Sequence, residues 1–242
     1  ENPEYKGAFI ADREVSRHII EQVEANAEPV FIYAVTMQNH GPYNDNRYKE
    51  KEVEVSGHLS PTAKKILENY TQGVVDADAS LQMLVDYFNE SDEPAVVVFF
   101  GDHLPILGYN YLVYHETGFV SSADSAQWSL EELRKMHSVP FVIWSNMGWE
   151  KENIPLLGMS FLGPYLLDRL DMPAPLYFDH LRSVSENISG VIQGLTVEST
   201  GALHRTPPDQ YKQLIGNYWL LQYDQMFGEQ YLYRWNAEKA TP

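Results

Sequence analysis

The chain of 242 residues contains no cysteine. Disulfides and thiolate zinc sites are therefore excluded, while the compartment is left open. Lysine and arginine are scarce: 17 residues against 34 aspartates and glutamates, a formal net charge of −17. Nothing here forms the basic stripe that nucleic acid requires, so no nucleic-acid partner is expected. Long apolar runs are also missing. None approaches the ~18–20 residues of a membrane span, and no charged segment followed by an apolar one opens the chain. It begins abruptly in a polar segment with no start signal, so the expectation is a soluble piece of something longer. What is present is ordinary for a globular protein, 44% hydrophobic and 21% charged. That is enough for one large domain or a domain with a small appendage. The acidity bears on chemistry as well. An acidic protein acting on an anionic substrate needs a local cation to offset its own field, and a divalent metal would supply one.

The most informative stretch is Pro94 to Pro105, PAVVVFFGDHLP. Ala95 to Phe100 are apolar without a break, and most are Val or Phe, which suit a pleated backbone. So short a run reads as a strand buried on both faces, of the kind found in parallel sheets. Gly101 and Pro105 end it. Asp102 and His103 then stand outside the carboxyl end of a strand, where open α/β sheets bind ligands. An acid and an imidazole at that place can ligate a metal. They can equally be a loop carboxylate capping a turn beside a surface histidine.

A second run, Val30 to Val35, delivers another polar cluster, TMQNHGPY at 36–43, with His40 punctuated by Gly41-Pro42. Around these runs the periodicity predicts helices. One starts with Asp12 as cap and carries Val15, Ile19, Ile20 and Val23. One runs from the Ser60-Pro61 cap to about Asn89, with Gly73 weakening or bending it. One is capped by Ser129 with Glu132 in the capping-box position, and one spans Met159 to Leu170. Residues 44–58 read as an exposed loop. Tyr109 to Tyr114 reads as a short helix or strand, and Val139 to Trp144 as a strand with Pro140 at its start or on an edge. Tyr211 to Met226 is partly helical, and Tyr231 to Trp235 is a final strand candidate. The order helix, strand, helix, strand leaves crossovers long enough for parallel pairing. The expected fold is α/β, a mostly parallel or mixed central sheet flanked by helices. Residues 1–180 would form the main body and residues 181–242 a small C-terminal extension.

Together, TMQNHGPY and FFGDHLP, about 60 residues apart, resemble the lipoteichoic acid synthase family, sulfatase-like phosphoglycerol transferases of the alkaline phosphatase superfamily. Asp78 and YDQMFGEQY at 223–231 add to the resemblance, which covers most of the chain and is least clear over 181–222. It implies that Asp102 and His103 bind one divalent cation, Mn2+ or Mg2+, and that His40 contacts the phosphate head group. It also implies transfer of a phosphoglycerol unit from a phospholipid head group, or onto a glycerol phosphate polymer, at the extracytoplasmic face of a bacterial membrane. The family's nucleophilic Thr and a Glu ligand lie upstream of its N-H-x-P-Y motif. They would precede Glu1, as would the segment that contacts the membrane, and the chain alone would be inactive. Thr36 belongs to the motif and is not that nucleophile. The C-x-P-x-R and S-x-P-x-R motifs of true sulfatases do not occur here. A phosphoesterase or sulfuric ester hydrolase of the same superfamily, or a non-catalytic binding module with the same fold, stand as alternatives. His18, His58, His137 and His180 read as surface or packing residues. His115 and His204 could serve a second metal, which a single-metal family does not need. Tyr109, Tyr111 and Tyr114 either line a substrate mouth or pack.

Overall fold

The computed structural model describes residues 2–232 and 234. They form two units, Glu1–Glu150 and Lys151–Pro242. In the first, a short hairpin of β1 (Tyr5–Lys6) and β2 (Phe9–Ile10) leads into α1 (Asp12–Glu24). The cap of α1 is Ala11, and Asp12 is the first residue of the helix and is buried, rather than the capping residue expected. α2 (Pro61–Asn89) begins where Ser60 accepts the Ala63 N–H at 3.2 Å. It continues unbroken through Gly73 for 29 residues, about 44 Å at 1.5 Å per residue. Its apolar face builds the core of this unit. Ala63 and Ile66 pack there with Tyr43, Leu107, Val113, Tyr114, Val120 and Trp128.

β3 (Val96–Phe100) pairs antiparallel with β4 (Phe141–Ser145), Val96 opposite Ser145 and Phe100 opposite Phe141. Between them lie a 3-10 turn at Tyr109–Tyr111, α3 (Leu112–Glu116) and α4 (Leu130–Met136). α4 carries the expected capping box of Ser129 and Glu132. Asn146, just beyond β4, accepts the Ala95 N–H at 2.8 Å. Its amide donates to the carbonyls of Phe88 at 3.0 Å and Glu93 at 2.8 Å, tying the end of α2 to the start of β3.

The second unit holds α5 (Met159–Arg169), α6 (Leu176–Ser185), the antiparallel meander β5 (Ile188–Ile192), β6 (Leu195–Glu198) and β7 (Leu203–His204), and α7 (Lys212–Phe227). Phe161, Leu181, Val184, Ile188, Ile215 and Tyr218 are its core.

The fold class is mixed α/β, as expected, but its pairing is not the parallel one that the order of elements allowed. All strand pairs among the described residues are antiparallel. Val30 to Val35 is extended but forms no strand, and Phe31 is 92% exposed. Apolar character favours burial. A strand also needs a neighbour to take its N–H and C=O groups, and this segment has none among the described residues. The contacts also divide the chain after Glu150, earlier than the boundary expected at 180. A cut at 180 would run through α6 and part Leu181 and Val184 from Phe161 of α5, with which they pack. Tyr109 to Tyr114 is a 3-10 turn leading into α3, with Asn110 and Tyr111 at positive φ between them. Of the final strand expected over 231–235, residues 233 and 235 lie outside the described residues, and Tyr231 and Leu232 are helical.

Candidate functional site

β3 ends at Gly101, whose N–H reaches the Pro140 carbonyl at 3.4 Å. A Cβ on Gly101 would lie 3.3 Å from Cβ of Val139, so the backbone passes close to the strand's neighbour here. The chain then turns outward and presents Asp102 and His103, with side chains 79% and 62% exposed. Asp102 Oδ1 accepts the backbone N–H of His103 at 2.9 Å, and Nδ1 of His103 lies 2.9 Å from the Leu104 carbonyl. A carbonyl can only accept, so Nδ1 carries the proton in that bond. Nε2 of a neutral His103 is then a bare lone pair. It lies 3.7 Å from Oδ2 of Asp102. Two exposed acceptor atoms thus lie side by side, a donor pair of the kind a divalent cation takes.

His40 lies in a loop without regular structure, and that loop is held mostly by side chains. The carbonyl of Met37 accepts the His40 N–H at 3.0 Å. Those of Gln38, His40 and Pro42 accept from the Arg47 guanidinium at 2.7, 2.9 and 2.6 Å. The Asn39 carbonyl accepts from Tyr43 Oη at 2.7 Å, the Tyr43 carbonyl from Asn69 Nδ2 at 2.6 Å, and the Gly41 carbonyl from Nδ1 of His40 at 2.9 Å. Every carbonyl from 37 to 43 therefore has a partner. The same reasoning as for His103 leaves Nε2 of His40 turned away from its own backbone. The ring is exposed and meets Phe9 edge-on, centroids 5.9 Å apart.

Beneath this loop lies a buried polar network. Gln38 accepts the Asp12 N–H at 2.8 Å and donates to Oδ2 of Asp76 at 2.6 Å and to Tyr48 Oη at 3.2 Å. Ser16 and Ser80 bond at 2.7 Å, and Gln72 accepts the Glu52 N–H at 2.8 Å. Burial raises the pKa of Asp12 above the usual carboxylate range, against the lowering effect of bonds from Gln38 and Thr36. Burial also pushes the Tyr43 phenol up to about 12.

Asp102 and His103, neighbours in the chain, have their side chains side by side, whereas the His40 side chain bonds the Gly41 carbonyl and meets Phe9. No group of three or more His, Cys, Asp or Glu gathers as a metal cage among the described residues. The donors present fit a cation to the extent of one carboxylate and one imidazole. Asp78 is exposed, and Asp76, two residues earlier, joins the network instead. His115 falls in the first unit and His204 in the second, where His204 pairs with Glu198 at 2.7 Å. Tyr114 is buried, Tyr111 packs edge-on against Trp128, and Tyr109 is exposed.

Arg47, Gln38 and Asn69 are not singled out by motif reading. Arg47 sits in a stretch read as an exposed loop, yet it is buried. The signal that could have found the network lies on α2. Asn69, Gln72, Gly73, Asp76 and Ser80 recur at helical spacing, a polar stripe on one face of an otherwise apolar helix. Such a stripe implies polar groups opposite.

The sequence profile of the sulfatase family matches residues 1–172, and the chain belongs to that family. It is 32% identical over 232 residues to a Rhizobium meliloti protein provisionally named a cyclic beta-1,2-glucan modification protein, covering 93% of this chain and 35% of that one. A second R. meliloti protein, the capsular polysaccharide biosynthesis protein RkpI, is 32% identical over 107 residues, 43% of this chain and 18% of its own. The chain thus spans about a third or less of the length of these relatives. Its fold is similar to that of the Streptococcus pyogenes phosphoglycerol transferase GacH, solved in complex with sn-glycerol-1-phosphate. The TM-score is 0.71 at 22% identity, over 98% of this chain and 54% of that chain.

Proposed function

We propose that this chain is part of a metal-dependent, sulfatase-like phosphoglycerol transferase. It would act on a glycerol phosphate head group, of a phospholipid or of a polymer, at the extracytoplasmic face of a bacterial membrane. The observation that carries the reading is the facing of Nε2 of His103 and Oδ2 of Asp102 across 3.7 Å, each free to accept. The FFGDHLP and TMQNHGPY motifs, the sulfatase family match and the glycerol phosphate named with GacH support it. No helix among the described residues is long and apolar enough to cross a membrane, so membrane contact is assigned to other parts of the protein.

Asp102 and His103 would hold the cation, Mn2+ or Mg2+. When bound, such a cation neutralises charge on phosphoryl oxygens and lowers the pKa of a hydroxyl nucleophile. His103 contributes by keeping its proton on Nδ1, against the Leu104 carbonyl, so that Nε2 stays available; this is the arrangement that orients most histidine ligands. His40 would place Nε2 against a phosphate oxygen, as a hydrogen-bond donor when the ring is protonated. The loop bonds around it fix the backbone before substrate arrives. Within residues 1–242 we assign no nucleophile.

The test uses the full-length protein carrying this chain. Asp102→Ala should lower its manganese content and abolish release of glycerol phosphate from a phosphatidylglycerol analogue. Normal manganese stoichiometry in that variant would overturn the assignment. Turnover of an aryl sulfate in preference to the phosphodiester would move the protein to the sulfuric ester hydrolases.

A further inference from the structure

We propose that Arg47 is the positioning residue of the His40 loop, holding the imidazole in the orientation that meets phosphate. The proposal rests on the reading of His40 as the phosphate contact. The Arg47 side chain is 1% exposed, so it cannot touch substrate itself. Its Nη1 donates to the carbonyls of Gln38 and His40, and its Nη2 to that of Pro42. These three carbonyls alternate along the loop, so the backbone is bent around one planar cation. Nε completes the set with both oxygens of Asp45, at 2.9 and 3.0 Å. The guanidinium carbon lies 5.4 Å from the Phe9 ring centroid and 5.8 Å from that of Tyr43. Phe9 is also the ring that His40 meets edge-on. Arg47 therefore constrains His40 twice, through its backbone and through a shared aromatic wall.

A loop needing only stability has little use for this arrangement. Burying a guanidinium forfeits its hydration, and apolar filling of the same space is often as stable or more so. What an arginine adds is a rigid fork of donors at fixed angles. That fork settles where the Gly41 carbonyl points, because it grips the carbonyl on either side, at His40 and Pro42. The Gly41 carbonyl in turn takes the Nδ1 proton of His40. The chain of control runs from Arg47 through the backbone to the tautomer of His40. Asp45 balances the charge but makes no bond to these carbonyls, so it should matter much less.

The experiment reads that tautomer. In the chain labelled with nitrogen-15 at its histidine rings, the His40 signals are assigned by their absence in His40→Ala. Of the two neutral tautomers, the wild-type ring should hold almost wholly the Nδ1–H one. In Arg47→Lys, the Nδ1–H form should become the minor one, and in Asp45→Asn it should stay dominant. A wild-type His40 showing the mixture of a free imidazole would overturn the proposal without any variant having to fold. So would Arg47→Lys with lowered melting temperature and an unchanged His40 tautomer, since that is what a merely structural role predicts. Titration with sn-glycerol 1-phosphate separates the underlying reading. If the tautomer depends on Arg47 but the His40 signals do not move with the phosphate, His40 is not the phosphate contact, and the loss belongs to that reading and not to the control of the ring.

Discussion

A Cβ atom on Gly73 would lie 2.0 Å from Oδ1 of Asn39 and 3.0 Å from Tyr48 Oη. The glycine in the middle of α2 is thus there because Asn39, the residue before His40, occupies the space beside it. The helix runs on through Gly73, and the relief a glycine affords is used by the loop. Gly73→Ala should gain about 1 kcal/mol of helix propensity but lose more to overpacking, roughly 1–3 kcal/mol. Asn39 Oδ1 is buried, so yielding to the new methyl group means repacking the loop around it. We expect a lower urea midpoint and a disturbed His40 signal. A higher midpoint would show that Asn39 relocates freely.

Asn69→Ala removes the donor to the Tyr43 and Asp45 carbonyls. Leaving such buried acceptors unpaired costs about 1–3 kcal/mol. Asp78→Ala, at an exposed site on the same helix, should change stability by no more than about 0.5 kcal/mol. Thermal melts of both variants check the contrast. Equal losses would mean that Asp78 has a partner of consequence.

Two carboxylates should give stability opposite dependences on pH. Asp12 has a raised pKa, chiefly through burial. Its contribution is full below the ordinary aspartate value and declines as pH rises through the folded one. Asp12→Asn should therefore gain on wild type as pH rises from 4 toward 7. Glu132 is held down to about 2 by bonds from Ser129 and Ser121, so its contribution is present above about pH 4.5 and lost as pH falls toward 2. The Glu132→Gln deficit should accordingly shrink with acid. Denaturant midpoints against pH for the two variants give the slopes, and slopes of the same sign would overturn one of the two assignments, the sign showing which.

Phe31→Ser distinguishes the sequence reading of 30–35 from the structure. A phenylalanine in a buried strand costs about 3–5 kcal/mol to truncate. One that is 92% exposed should cost no more than about 0.5 kcal/mol. The substitution should leave the melting temperature of this chain unchanged and improve its solubility. A large drop would place the segment in a core.

The elements most legible in the sequence carry local signals. Ser60-Pro61 marks the start of α2, and the turn residues after Asn89 mark its end. The unbroken apolar run before Gly101 gives β3, and Ser129 with Glu132 gives α4. The meander of β5 to β7 was not legible. Its strands are short, and the turn between β5 and β6 is two residues, Gln193 and Gly194, with only Gly194, at φ 80°, as a turn signal. The site divides along the same line. Asp102, His103 and His40 stand in contiguous motifs that can be matched by eye. Arg47 and Asn69 hold loop carbonyls from outside the motif, and Gln38, though inside it, bonds Asp76 and Tyr48 below; of the three, Asn69 alone belongs to a readable pattern, the polar stripe on α2.

The bonds made by Asn146 bear on how β3 finds its place. Val96, Val97 and Val98 are interchangeable in size and chemistry, so the strand's own side chains do little to oppose a slip along β4. A slip of one residue would turn every side chain to the opposite face and carry Asp102 into the position of His103. Asn146 removes that freedom from outside the ladder. Its oxygen takes the N–H of Ala95, the residue immediately before the strand, while its amide holds the carbonyls of Phe88 and Glu93. One carboxamide thus sets the zero from which the strand is counted, and with it which of two neighbouring side chains, an acid or an imidazole, arrives first at the strand's end.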